Sequence, residues 1–100
     1  MSAVVEFETV APGHFRVTGP LTFDSVEQAL HASRELFAEH PRIELDLQKV
    51  DSTDSAGLAL LVEWAGWARR EKRSILFRHL PAQALALARI SEVDKLLPTA

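Results

Sequence analysis

The chain has 100 residues, 47% of them hydrophobic, with 11 basic and 14 acidic side chains and a formal charge of −3, a composition that fits one soluble globular domain over residues 1–100. The mild acidity excludes a general nucleic-acid binder, which needs clustered Lys and Arg, and the longest apolar run, 57–62, falls far short of the ~20 residues of a membrane span, so no direct membrane insertion is expected. No cysteine is present, which removes disulfides, thiolate metal sites and cysteine nucleophiles together and agrees with a reducing cytosol.

In chain order, residues 4–10 alternate weakly around Val5, Phe7 and Thr9 and carry no basic run before an apolar stretch, so they read as a strand and not as a secretory signal. Ala11-Pro12-Gly13 forms a tight turn into a second strand at 14–18. After Gly19-Pro20 the period changes, with Val26, Ala29, Leu30, Ser33, Leu36 and Phe37 at helical spacing. Asp24 and Glu27 have capping-box spacing, which predicts a helix over 25–38 ended by Pro41. Residues 42–47 alternate strictly, Ile43, Leu45 and Leu47 against Arg42, Glu44 and Asp46, as a half-buried strand does. The polar turn 51–54 leads into a second helix from Ser55 to about Lys72. A short strand at 74–78 follows, then a helix with Pro81 at its first position and an apolar side of Leu85, Leu87 and Ala88. A last turn, capped by Ser91, runs through Val93, Leu96 and Leu97. Strands alternating with helices at this length predict an α/β fold, a mixed β-sheet with helices packed on it.

The stretch 50–61 carries most of the functional information. Its polar half lies where a strand gives way to a helix, so the Asp54 and Ser55 side chains can cap the free N–H groups of the first turn. The order Asp54-Ser55-Ala56-Gly57 before Leu58-Ala59-Leu60-Leu61, after the strand Ile43-Glu44-Leu45-Asp46-Leu47, resembles the signature of the STAS family. These are small α/β modules of sulfate transporters and anti-sigma factor antagonists. In the antagonists, the resemblance implies, the hydroxyl residue after the Asp, here Ser55, is phosphorylated by a partner kinase. A phosphate at that place is tolerated by the helix dipole. Gly57 allows close approach over the first turn, either by a partner or by the chain's own packing.

Within the family the chain is similar to the cytoplasmic STAS subunit of Mla-type phospholipid ABC transporters. The stretches 50–61, 45–47, 84–89 and 96–98 carry that likeness. It implies a non-enzymatic subunit without cofactor that binds the transporter's ATPase, and indirectly its permease, and supports assembly and activity in outer-membrane lipid asymmetry. Such a subunit is cytoplasmic, peripheral to the inner membrane through its partner. The alternative is an anti-sigma factor antagonist that captures an anti-sigma factor kinase and is switched by phosphorylation of Ser55.

On a helical wheel, Leu58, Leu61, Val62, Ala65 and Ala68 form the core face of the second helix. Leu60 and Trp64 lie on its flank and Trp67 nearly opposite, partly exposed. A partner surface of Thr53, Asp54, Ser55, Ala56, Gly57, Leu60 and Trp67 is therefore expected, with Trp67 an interface anchor or a single surface aromatic. A hydrolase with Ser55 as nucleophile is the reading from another class. The surrounding residues form no Gly-x-Ser-x-Gly elbow, so no catalytic residue is assigned. His14, His31, His40 and His79 lack metal-ligand spacing, and Arg69, Arg70, Lys72 and Arg73 suit the negative end of a helix dipole.

Overall fold

The computed structural model describes residues 4–100; the single-domain reading of 1–100 also spans Met1, Ser2 and Ala3, which lie outside the described residues. The elements in chain order are β1 (Glu6–Ala11), β2 (His14–Thr18), α1 (Val26–Phe37), β3 (Arg42–Lys49), α2 (Ser55–Arg70), β4 (Ser74–Arg78), α3 (Ala82–Ile90) and a 3₁₀ turn at Asp94–Leu96. They form a four-stranded sheet in the order β1-β2-β3-β4. β1 and β2 are an antiparallel hairpin closed by Gly13 at φ 77°. β2, β3 and β4 run parallel, as α1 and α2 crossovers require.

Alternation along the strands assigns the two faces. Phe15, Val17, Ile43, Leu45, Leu47, Ile75 and Phe77 are buried beneath the helices, as a period of two demands. The opposite face carries an ionic lattice. Arg16 bridges Glu8 (3.4 Å) and Asp46 (3.8 Å), Asp46 meets His79 Nδ1 at 2.9 Å, and Glu44 joins Arg78 to His14. Burial works to raise the Asp46 carboxyl, yet the Gln48 N–H, His79 and Arg16 together hold it below its ordinary value. Two of the four histidines thus serve as strand-end partners of carboxylates, and His40 packs edge-on to Phe15 with centroids 5.7 Å apart. Past α3 the chain returns to the outer edge of β4, where the Phe77 N–H donates to the Pro98 carbonyl at 2.8 Å and the Ala100 N–H to the Phe77 carbonyl at 3.1 Å, so that edge is covered.

Five sequence expectations are corrected at element ends and faces. α1 starts at Val26, and neither Asp24 nor Ser25 caps it. Ser25 occupies the N-cap position, but its buried hydroxyl accepts from the Thr22 N–H at 3.0 Å and donates to the Pro20 carbonyl at 2.7 Å, closing the preceding loop instead. Pro81 sits just before α3, and Ser91 lies at the end of α3 without capping the 3₁₀ turn. α2 ends at Arg70, two residues early. Lys72 takes a left-handed conformation (φ 56°), with the Arg73 N–H on the Ala68 carbonyl at 2.8 Å and the Lys72 N–H on the Arg69 carbonyl at 3.2 Å, a Schellman stop without glycine. Leu60 and Trp64 are core residues, 4% and 1% exposed. α2 is covered by the sheet, α1 and α3 together, so its buried arc is wider than a one-sided stripe. Trp64 Nε1 donates to Ser33 Oγ at 2.9 Å, which satisfies the indole N–H that burial would otherwise strand.

Candidate functional site

The site forms where β2 and β3 run out, at the carboxyl ends of the parallel strands, which is where open α/β sheets present binding groups. Beyond the sheet the two chains stay zipped. The Gly19 N–H donates to the Lys49 carbonyl at 3.1 Å and the Leu21 N–H to the Ser52 carbonyl at 2.9 Å, Leu21 bridges Thr53 in parallel fashion, and the Phe23 N–H donates to Asp54 Oδ2 at 3.0 Å. Loop 19–25 is thereby laid across the first turn of α2.

Asp54 is the N-cap of α2, its Oδ1 accepting from the Gly57 N–H at 3.0 Å. Each carboxylate oxygen therefore serves a different element. The Phe23 N–H foremost, with the Gly57 and Ala56 N–H groups, holds this carboxyl below the usual carboxylate range against slight burial. Gly57 makes the crossing sterically possible. A Cβ there would strike the Leu21 carbonyl oxygen and Thr53 Oγ1, so the packing reading of this glycine is the one the geometry supports. Thr53 is 3% exposed with Oγ1 unpaired, and its N–H donates to Gln83 Oε1 of α3 at 3.3 Å.

The expected partner residues thus separate into two groups. Thr53, Gly57 and Leu60 are interior: their side chains, or the lack of one, build the platform. Ser55 is exposed as the first residue of α2, its hydroxyl free of side-chain hydrogen bonds among the described residues, beside half-exposed Asp54 and Ala56. Trp67 is half-buried, against Phe37 (centroids 6.0 Å) and beneath the Arg73 guanidinium at 5.3 Å. Twelve residues from Ser55, it lies about 18 Å further along α2 and about 120° around it, so one continuous strip from Thr53 to Trp67 does not form.

The sequence reading missed Phe23. This ring is 79% exposed, held out by a loop whose backbone is bonded at Leu21, Phe23 and Ser25, one residue removed in space from Ser55 through the Asp54 contact. An aromatic in a short loop after Gly-Pro, outside the register of the following helix, is the signal that could have found it. No group of three or more His, Asp or Glu side chains capable of holding a metal occurs among the described residues, and no helix is long and apolar enough to cross a membrane.

A mixed four-stranded sheet with helices on one face, and an exposed hydroxyl presented at the start of α2 beside a zipped loop, define a STAS domain, a protein-interaction module. The family model described as "Mlab, STAS domain" matches residues 6–98, and the chain belongs to that family. No curated protein matches the sequence. Among solved structures, the fold is similar to the anti-sigma factor antagonist SpoIIAA in its unphosphorylated form, with a TM-score of 0.71 and 14% identity over 97% of this chain and 88% of that one. The phosphorylated form of the Bacillus cell fate determinant SpoIIAA aligns with a TM-score of 0.66 and 15% identity, over 97% and 91% of the two chains. A Thermotoga maritima protein described as an anti-sigma factor antagonist gives 0.67 and 14% over 95% and 84%. At these identities the likeness is one of fold.

Proposed function

We propose that this chain is a non-enzymatic subunit that binds the cytoplasmic ATPase of a Mla-type phospholipid ABC transporter and supports its assembly and activity. It reaches the inner membrane only through that ATPase and its permease, and so serves outer-membrane lipid asymmetry. The observation that supports the reading is the exposed Ser55 hydroxyl next to an exposed aromatic, Phe23, on a platform fixed by Asp54, within a family described by the Mlab name. The backbone that carries this aromatic is already fixed by the Phe23 N–H to Asp54 bond, so docking has to order only the ring itself, which suits an interface anchor. By binding only the assembled conformation of the ATPase, the subunit shifts the population toward it, to an extent set by its differential affinity for the two states.

A second reading is favoured by the neighbours, which are anti-sigma factor antagonists, one solved in both phosphorylation states. Phosphate on Ser55 adds about −2 charge beside a carboxylate that is held ionised, enough to repel a docked kinase. Tagged chain purified from its host, with mass spectrometry of the bound proteins and of the Ser55 peptide, separates the two. An ABC ATPase with Ser55 unmodified is the expected result; a serine kinase with phosphorylated Ser55 replaces the transporter reading by the switch. Phe23→Asp and Ser55→Glu should each weaken ATPase capture by about tenfold or more while Tm stays within about 4 °C. Undiminished capture by both variants would overturn the docking surface.

A further inference from the structure

The helices pack on one face of the sheet, and no element among the described residues covers the other. On that open face the charges follow the strand pairing. Glu8 is in register with Arg16, Arg16 with Asp46, and Asp46 with Arg78, so one row across β1, β2, β3 and β4 reads negative, positive, negative, positive. The neighbouring row is built on the same plan. Its middle is the pair His14–Glu44 at 3.2 Å. Its ends are apolar: Val10, at the β1 bulge and 54% exposed, shares a shallow dent with His14, Arg16 and Glu44, and half-buried Leu76 is in register with Glu44.

Reversed end for end, each row becomes its own complement. A two-fold axis in the plane of this face, parallel to the strands and between β2 and β3, performs that reversal. It lays β1 on the second copy's β4 and β2 on its β3, without shifting any residue along the strands. Glu8 then faces the second copy's Arg78, Arg16 its Asp46, His14 its Glu44, and Val10 its Leu76, each contact occurring twice. A two-fold across the strands would set Glu8 on Glu8 and Asp46 on Asp46. Pairing within the chain leaves capacity for a second layer: Arg16 lies 3.4 Å from Glu8 and 3.8 Å from Asp46, and side-chain exposure runs from 24% at Asp46 to 62% at Glu8. We propose that this face is the interface of a symmetric dimer of the chain, with the alternating row setting its register and Val10 closing on Leu76 at its ends. Four strands at ~4.8 Å and about five residues at ~3.3 Å give a flat footprint of roughly 19 by 17 Å. That is at the small end for a specific interface, so the pair is weak and salt-sensitive. Ser55 belongs to the helical layer and stays free in the dimer.

Sedimentation equilibrium of the whole chain tests this. In about 0.1 M salt the wild type should dimerise with Kd on the order of 100 μM, and about tenfold more weakly in about 0.5 M salt. Glu8→Lys and Arg78→Glu, both at exposed side chains, each set like charges against one another twice, and each alone should remain monomeric up to about 0.5 mM. Mixed one to one, the two variants should pair with a Kd within about threefold of the wild type, because each reversal then faces the other. A wild type that is monomeric at about 0.5 mM, single variants that self-associate as the wild type does, or folded variants that fail to pair on mixing would each overturn the dimer. Circular dichroism checks the fold of both. Should a reversal unfold the chain, Glu8→Gln and Arg78→Gln decide in its place: each should weaken the dimer about threefold or more, and a dimer indifferent to both would overturn the proposal.

Discussion

Two glycines of α2 predict opposite responses to the same substitution. Replacing a helical glycine by alanine gains about 1 kcal/mol of helix propensity when nothing else changes. At Gly66 the added Cβ would meet only the tips of Arg70 (3.2 Å) and Arg69 (3.9 Å), flexible groups that move aside. Gly66→Ala should therefore stabilise by about 0.5–1 kcal/mol. At Gly57 the same Cβ would overlap the Leu21 carbonyl oxygen and Thr53 Oγ1, with the Leu21 carbonyl carbon at 2.9 Å. Leu21 cannot retreat: its N–H is bonded to the Ser52 carbonyl, its side chain is 1% exposed, and the next bond along is Phe23 to Asp54. Overpacking against fixed backbone costs about 3 kcal/mol at the upper end of its range, leaving a net loss of about 2 kcal/mol after the propensity gain.

For a domain of this size that is a fall in Tm of about 8–16 °C for Gly57→Ala and a rise of about 2–8 °C for Gly66→Ala. Urea titrations of the three proteins, with m unchanged, give the same comparison at 25 °C. Amide exchange adds a local readout, since Leu21 and Phe23 should lose protection in Gly57→Ala alone. A neutral or stabilising Gly57→Ala, or shifts of the same sign in both variants, would refute the account of Gly57 as the point where loop 19–25 crosses the first turn of α2.

Other outcomes follow from single contacts. Ser33→Ala strands the buried Trp64 Nε1–H and should cost about 1–3 kcal/mol in urea unfolding, with part recovered when Trp64→Phe is added in a double-mutant cycle. Asp54→Ala should cost about 1–2 kcal/mol at pH 7 by loss of the cap. Because folding lowers the Asp54 carboxyl value, its ionic contribution is complete above the ordinary carboxylate value of about 4 and is lost as pH falls through the lower, folded one. The stability gap between wild type and Asp54→Asn should accordingly be widest near neutrality and close on acidification below about pH 4; a gap independent of pH would remove the charge from the argument.

What was legible in the sequence follows the range of the interaction concerned. β2 and the start of α2 were readable to the residue because the alternation of Phe15 and Val17 and the Asp54-x-x-Gly57 cap are local patterns, settled within four or five positions. The α1 start was not, because the Ser25 hydroxyl is drawn to Pro20 and Thr22 by the loop's own closure. Helical spacing gave the direction of the α2 core face but not its width. Width is set by how many elements surround the helix, and α1 and α3 flank it as well as the sheet, which turned Leu60 and Trp64 inward.

The same distinction bears on what the motif does. Of its residues, Asp54 is committed to Gly57 and Phe23, and Gly57 to the passage of Leu21, so both act on architecture and leave Ser55 as the free chemical group. A lone serine hydroxyl at a helix N-terminus carries too little shape to discriminate an ATPase from a kinase. Discrimination then has to come from side chains that the platform displays and the motif does not encode. Phe23 is the foremost of these, brought to Ser55 by the long-range pairing of loop 19–25 with 49–54. On this argument, exchanging residue 23 while keeping Asp54-Ser55-Ala56-Gly57 intact should change which partner is bound before it changes whether the domain folds, and competition binding of the Phe23→Asp chain against the wild type checks that order.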